Sequence, residues 1–142
     1  MKKISRIGLE LIKRFEGFKS DAYQCPAGIL TIGYGTTKGV KLGDTITEVE
    51  AEKRLAEHLF GVENTINAIE VEFTQNQFDA LCSFAYNCGS SALLNSTLLR
   101  KIKAEASKSE IASQFARWNK AAGIELAGLT ARRTAEAELF NS

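Results

Sequence analysis

Glu16-Gly17-Phe18, followed by Tyr23-Gln24-Cys25-Pro26-Ala27-Gly28-Ile29-Leu30-Thr31-Ile32-Gly33-Tyr34-Gly35, is the stretch whose texture departs from the rest of the chain. It holds the sole proline, Pro26, and interrupts a sequence that otherwise reads as helical. Cys25-Pro26-Ala27-Gly28 suits a type I turn, with proline at the second position and glycine at the fourth. Beyond the turn, alternation puts Leu30, Ile32 and Tyr34 on one strand face and Thr31, Gly33 and Gly35 on the other. That second face is nearly bare. Glycine in a strand marks a place where a ligand or another backbone comes close, and Thr31 is the one polar side chain on the strip. The segment from Phe18 to Leu42 therefore predicts a β-hairpin or a small three-stranded sheet.

The flanks predict helices. Upstream, Ile4, Ile7, Leu11, Ile12 and Phe15 recur at helical spacing, with Ser5 as N-cap and Gly17 just past the end. Downstream, Thr47-Glu48-Val49-Glu50 is a capping box opening a long helix that carries Val49, Leu55, Leu59 and Ile66. Thr74-Gln75-Asn76-Gln77 repeats that logic ahead of Phe78, Leu81, Cys82, Phe84 and Ala85. Ser109 is the expected cap of a helix with Ile111, Ala112, Phe115 and Trp118. Thr130 is the expected cap of a last helix with Ala135, Leu139 and Phe140. The fold class is α+β, mostly helical, in a single domain of two lobes. Residues 1–46 form the N-terminal helix and small β lobe, 47–70 the connecting helix, and 71–142 the helical lobe. Two lobes on one helix leave a cleft, where ligand sites usually lie.

The 142 residues carry 18 basic and 17 acidic groups, a net charge of +1. No global field argues for nucleic acid or an anionic membrane. Residues 1–60 hold 10 basic and 8 acidic groups, 61–95 none and 4, and 96–142 hold 8 and 5. A solvated face is the default reading of such unevenness, and a basic surface meeting an anionic polymer is the functional one. No run approaches the length of a membrane span, so no stable insertion is expected. The basic start mimics a signal peptide, but Arg6, Glu10, Lys13 and Arg14 break any apolar core. The chain is expected to be made and kept in a cytoplasm. Cys25, Cys82 and Cys88 make an odd set without C-x-x-C spacing, and His58 is the one histidine. Neither a disulfide framework nor a metal site is expected. Cys82 and Cys88 read as buried small hydrophobes, and His58 as a surface side chain.

Glu16 falls at a helix C-terminus between Phe15 and Phe18, a setting suited to a general acid, although a solvated glutamate is the commoner finding. With Cys25 nine residues and Thr31 fifteen residues further on, the pattern resembles the Glu/Asp/Thr triad of the phage-type lysozymes, glycoside hydrolase family 24. The resemblance covers nearly the whole chain. It runs through Thr31-Ile32-Gly33-Tyr34-Gly35, Gly43-Asp44-Thr45-Ile46-Thr47, the segment Gln77 to Gly89, Ser96-Thr97-Leu98-Leu99, Trp118, and Gly128-Leu129-Thr130-Ala131-Arg132-Arg133. The sequence departs from the family where Cys25 replaces the commoner aspartate and Thr36 the usual histidine.

The resemblance implies an endolysin that hydrolyses the β-1,4 bond between N-acetylmuramic acid and N-acetylglucosamine of bacterial peptidoglycan, with inversion and without a cofactor. Glu16 would protonate the leaving oxygen while Cys25 and Thr31 hold and activate water. Arg132 or Arg133 would reach Glu16. Tyr86 and Asn87, with Gly33 and Gly35 of the bare strip, would contact sugar. A monomer is expected, made in the host cytoplasm and acting on the periplasmic wall after release by a separate holin. Two other functions fit some of the residues. A Cys/His peptidase would use Cys25 as nucleophile and His58 as base, leaving Glu16 and Thr31 idle. A non-catalytic peptidoglycan-binding relative would read Cys25 as lost function. A lytic transglycosylase is a nearer variant that yields an anhydro product.

Overall fold

The computed structural model describes all residues from Met1 to Ser142. Seven helices and two small antiparallel sheets follow in the order α1 (Arg6–Glu16), β1 (Lys19–Gln24), β2 (Leu30–Gly33), α2 (Glu48–Asn67), α3 (Gln75–Cys88), α4 (Ser90–Leu94), α5 (Thr97–Lys103), α6 (Lys108–Ala116), β3 (Lys120–Ala121), β4 (Ile124–Glu125) and α7 (Ala127–Phe140). Helices take up 56% of the chain, which fixes the class as mostly helical α+β. No helix is long and apolar enough to cross a membrane.

The caps explain where most helices begin. Thr47 accepts from the Glu50 amide at the head of α2. Thr74 and Gln77 exchange both bonds of a capping box at the head of α3. Ser96 and Ser107 cap α5 and α6 through the amides of Leu99 and Glu110. Two expected caps are corrected. Ser109 lies inside α6, because Ser107 offers the same hydroxyl two residues earlier. Thr130 lies inside α7, which starts at Ala127 without a side-chain cap. Arg132 and Arg133 therefore stand in the second turn of α7 rather than the first. The short helices α4 and α5 and the β3–β4 ribbon carry no strong periodicity. The ribbon turns at Ala122 and Gly123, both at positive φ, as a two-residue hairpin requires.

The core is one cluster centred on α3, whose residues Phe78 to Tyr86 are all buried, and to which α1, α2 and α7 contribute inward faces. Along α2 the buried side chains are Ala51, Leu55, Leu59, Val62 and Ile66. Val49 and Ile7, counted above among the apolar stripes, are 80% and 59% exposed and lie off those faces. α1 packs on α3, so this helix of the 1–46 segment sits against the helical body. Ser5 stands at the N-cap of α1 as expected, but its side chain makes no bond to its own helix. Its amide donates to Asp79 Oδ1 at 2.9 Å and its hydroxyl to Asp79 Oδ2, so a carboxylate borrowed from α3 faces the positive end of α1. Gln75 Nε2 ties the same carboxylate to the carbonyl of Lys3.

The β1–β2 hairpin pairs Lys19 with Gly33, Tyr23 with Thr31 and Gln24 with Leu30. The turn forms as expected, with the Gly28 amide donating to the Cys25 carbonyl at 2.8 Å. The second strand is shorter than the alternation implies. Gly33 and Gly35 adopt φ +64° and +81°, and Ile32 and Thr36 exchange two backbone bonds across a tight reversal. Tyr34 is thus in a turn, buried, with its hydroxyl donating to Glu48 Oε1 at 2.8 Å. Burial beside Glu48 pushes its pKa up to about 12.

Asp79 is fully buried and serves several donors, so Asp79→Ala is expected to lower stability by about 2–3 kcal/mol. The check is a lower urea midpoint at unchanged slope. A midpoint within error of wild type would contradict this role.

Candidate active site

Glu16 ends α1, and Gly17 at φ +66° turns the chain into the hairpin directly after it. Its carboxylate is 15% exposed. Arg132 reaches it from α7: Nη1 donates to Glu16 Oε2 at 2.6 Å, a charge-assisted bond across 116 residues of sequence. Gly35 lies on another side. A Cβ built there would stand 2.4 Å from Glu16 Oε1, so only glycine admits the carboxylate to this position. Gly33 meets the Ala51 side chain of α2 in the same way, at 3.0 Å. The bare strip therefore accommodates close approaches within the protein at both glycines.

Only one of the two arginines meets Glu16. Arg133 is turned into the body, where its Nη2 donates to Asn87 Oδ1 at 2.8 Å and its Nη1 meets Cys88 Sγ. Its guanidinium also lies 5.2 Å from the Phe84 ring centre. Asn87 is exposed, and with Oδ1 occupied it offers its amide N–H groups outward. Tyr86 is buried, and its hydroxyl donates to the Tyr34 carbonyl at 2.5 Å, locking α3 to the tight reversal.

On the hairpin, Thr31 is 4% exposed and its hydroxyl donates to the Ile29 carbonyl at 3.0 Å. Cys25 stands at the start of the turn, half-buried and free. Burial pushes its thiol up, but the backbone of Ile29 and Ala27 and the Thr31 hydroxyl outweigh it and hold the pKa below the ordinary thiol value. The Thr31 proton serves Ile29 in the neutral form and is available to Sγ in the thiolate. Burial raises the pKa of Tyr23, and the charges of Glu16 and Cys25 both add to that shift.

His58 was expected at the surface. It is exposed, but its ring packs against Tyr86 at a tilt of 42° with centroids 4.5 Å apart, and it does not pair with Cys25. Desolvation holds its pKa below the ordinary value, opposed by the Glu16 carboxylate. Spacing along the chain offered no signal for this contact, since His58 is on α2 and Tyr86 on α3. Glu136, also missed by the sequence reading, lies fully buried behind both arginines. The i,i+4 and i,i+3 spacing from Arg132 and Arg133 was the available clue.

The mostly helical body with its small antiparallel sheets matches the lysozyme fold of solved neighbours. The family model described as Phage lysozyme matches residues 13–136. The endolysin of Acyrthosiphon pisum secondary endosymbiont phage 1 is 44% identical over 144 residues, covering 98% of this chain and 98% of the relative. The endolysin of Bacillus phage PZA is 42% identical over 99% of this chain, which spans 55% of that longer protein. The muramidase domain of SpmX from Asticaccaulis excentricus superimposes with a TM-score of 0.88 at 37% identity, covering 100% of this chain and 99% of the other. The chain belongs to the phage lysozyme family.

The three thiols are expected to differ in reactivity in the order their surroundings dictate. Cys25 should be alkylated first near neutral pH. Cys88, pushed up by burial against the pull of Arg133, should follow slowly. Cys82, which burial raises far above the ordinary value, should react only on unfolding. Timed alkylation with peptide mapping checks this, and labelling of Cys82 before Cys25 would contradict it.

Proposed function

We propose that the chain is an endolysin muramidase that hydrolyses the β-1,4 bond between N-acetylmuramic acid and N-acetylglucosamine of bacterial peptidoglycan with inversion at the anomeric carbon. The observation that carries the reading is the Glu16 carboxylate at the end of α1, held on one oxygen by Arg132 and backed on the other by Gly35. Family membership supports the reaction class.

In this mechanism Glu16 is the general acid. Arg132 occupies Oε2 as a donor, so the transferable proton sits on Oε1. The proton passes to the glycosidic oxygen as the bond from that oxygen to the anomeric carbon breaks. Arg132 then neutralises the glutamate left behind. On the opposite face of the sugar a water attacks, and its proton goes to Cys25 Sγ, with Thr31 holding the water or the thiolate. An ordinary thiol of pKa about 8.5 is a sparse base at neutral pH. The lowered value of Cys25 raises the thiolate fraction available for this step. Asn87, its amide fixed by Arg133, offers a donor to a sugar oxygen. The protein acts as a monomer on the wall, is made in the host cytoplasm, and reaches the periplasm through a holin.

Glu16→Gln should fold normally and lose at least about 10²-fold in reducing-end release from peptidoglycan. Near-wild-type release by the folded variant would refute the mechanism. Early products should be of inverted configuration, and retention would make Cys25 a covalent nucleophile instead. Cys25→Asp should stay active with the acidic limb of its pH profile moved to lower pH, because a carboxyl ionises below a thiol, whereas Cys25→Ala should be much weaker. Gly35→Ala should displace Glu16 and cost about 10²-fold in rate, the scale of an ångström-sized misplacement. The variant's circular dichroism would remain native.

A further inference from the structure

Glu136 has no role in the mechanism above, yet it is a fully buried acid in contact with both arginines. Its Oε2 accepts from Arg132 Nε at 3.3 Å, from Arg133 Nη2 at 3.2 Å and from the Ser83 hydroxyl at 2.5 Å. Its Oε1 faces Arg133 Nε at 2.7 Å, as an ion pair whose angle falls short of a hydrogen bond. Each arginine leaves this anchor in a different direction. Arg132 extends to Glu16 and Arg133 to Asn87. Ser83 completes the clamp from α3. Its hydroxyl also meets Arg132 Nε at 3.3 Å, and its carbonyl accepts from Arg132 Nη2 at 3.2 Å.

We propose that Glu136 is a positioning residue of the active site: its one buried carboxylate aims Arg132 at the acid Glu16 and Arg133 at the sugar-facing amide of Asn87. The inference rests on the reading of Glu16 as general acid and deepens it. The physical case is charge and geometry together. Two guanidiniums and two carboxylates form a neutral group where little water reaches. A buried arginine without a counter-charge is strongly unfavourable, so the cluster holds only if Glu136 is ionised. Burial does push its carboxyl above the ordinary value, against both guanidiniums and the Ser83 hydroxyl. Glu136 and Glu16 share one cation, so the Glu136 charge offsets at Glu16 some of the attraction of Arg132. In a variant without the Glu136 charge that offset is gone, and Arg132 favours the ionised partner it still has.

The groups that face this device are few. Around Glu136 they are Arg132 and Arg133 on α7 and Ser83 and Cys88 on α3. Around Glu16 they are Arg132 on α7, His58 on α2, Tyr86 on α3 and Tyr23 on β1. Of these, Tyr86 is also under the charge of Arg132 and so faces both ends of the device.

The test compares pH–rate profiles of wild type and Glu136→Gln on purified peptidoglycan, scored by reducing ends. In the variant the alkaline limb, where the acid loses its proton, should move down by about one pH unit. Below that limb kcat should fall, and KM should rise as Asn87 loses its fixed orientation. A purely structural role would lower the melting temperature and leave the limb of the folded fraction in place, and that result overturns the proposal. Should Glu136→Gln not fold, Ser83→Ala decides. It keeps every charge but loosens the clamp on Arg132, so kcat per folded molecule should fall about threefold or more with KM unchanged. Wild-type kcat in that variant overturns the proposal. Failure of the underlying reading looks different: wild type releases no reducing ends, or Glu16→Gln keeps its activity, whatever residue 136 does.

Discussion

The ion pair between Arg132 and Glu16 joins the end of the first helix to the last helix, across 116 residues. Much of the molecule is arranged around that contact. α1 must end where its final carboxylate meets α7, which the Asp79 clamp on Ser5 enforces from the other end of the helix. The hairpin must pass close by, and the absence of a side chain at Gly35 permits it. A buried ion pair of this kind is a weak source of stability, because desolvating both charges offsets most of their attraction. Its value lies in fixing where one carboxylate points.

α3 is the element through which this geometry is transmitted. It is buried along Phe78 to Tyr86, starts at a complete capping box, and carries polar groups at intervals that meet different neighbours. Asp79 faces α1, Ser83 faces α7, and Tyr86 faces the tight reversal after β2. Asn87, at the end of the helix, is held by Arg133 while remaining exposed. A single rigid core helix thus registers three elements against each other, which is how side chains far apart in sequence come to share one site.

Several residues of the candidate site stood out before the fold was known. Glu16 was singled out by its helix-end position, Thr31 by its isolation on a bare strand face, and an arginine partner by the resemblance to a family. Other features were misjudged for local reasons. Ser109 and Thr130 have cap-forming side chains, but Ser107 competes successfully for α6, and α7 begins before Thr130 with no side-chain cap. Gly33 and Gly35 were placed on a regular strand. Their left-handed φ ends the strand where simple alternation would have extended it, and the absence of a side chain leaves room for Ala51 and Glu16.

What the sequence determined by itself was local: where helices start and stop, the turn at Pro26, the periodic faces that build a core, and the order of residues that marks the family. These depend on propensities, capping and spacing among near neighbours. The tertiary structure alone decided which of two adjacent arginines meets the acid. Arg132 and Arg133 are chemically alike, but consecutive helical residues point about 100° apart, so packing of α7 on α3 sends one to Glu16 and the other to Asn87. It also decided that Glu136 anchors both and that His58 lies on Tyr86. Those relations join residues on different helices, and a carboxylate between two guanidiniums acquires its role only once burial has removed the water that would otherwise screen all three.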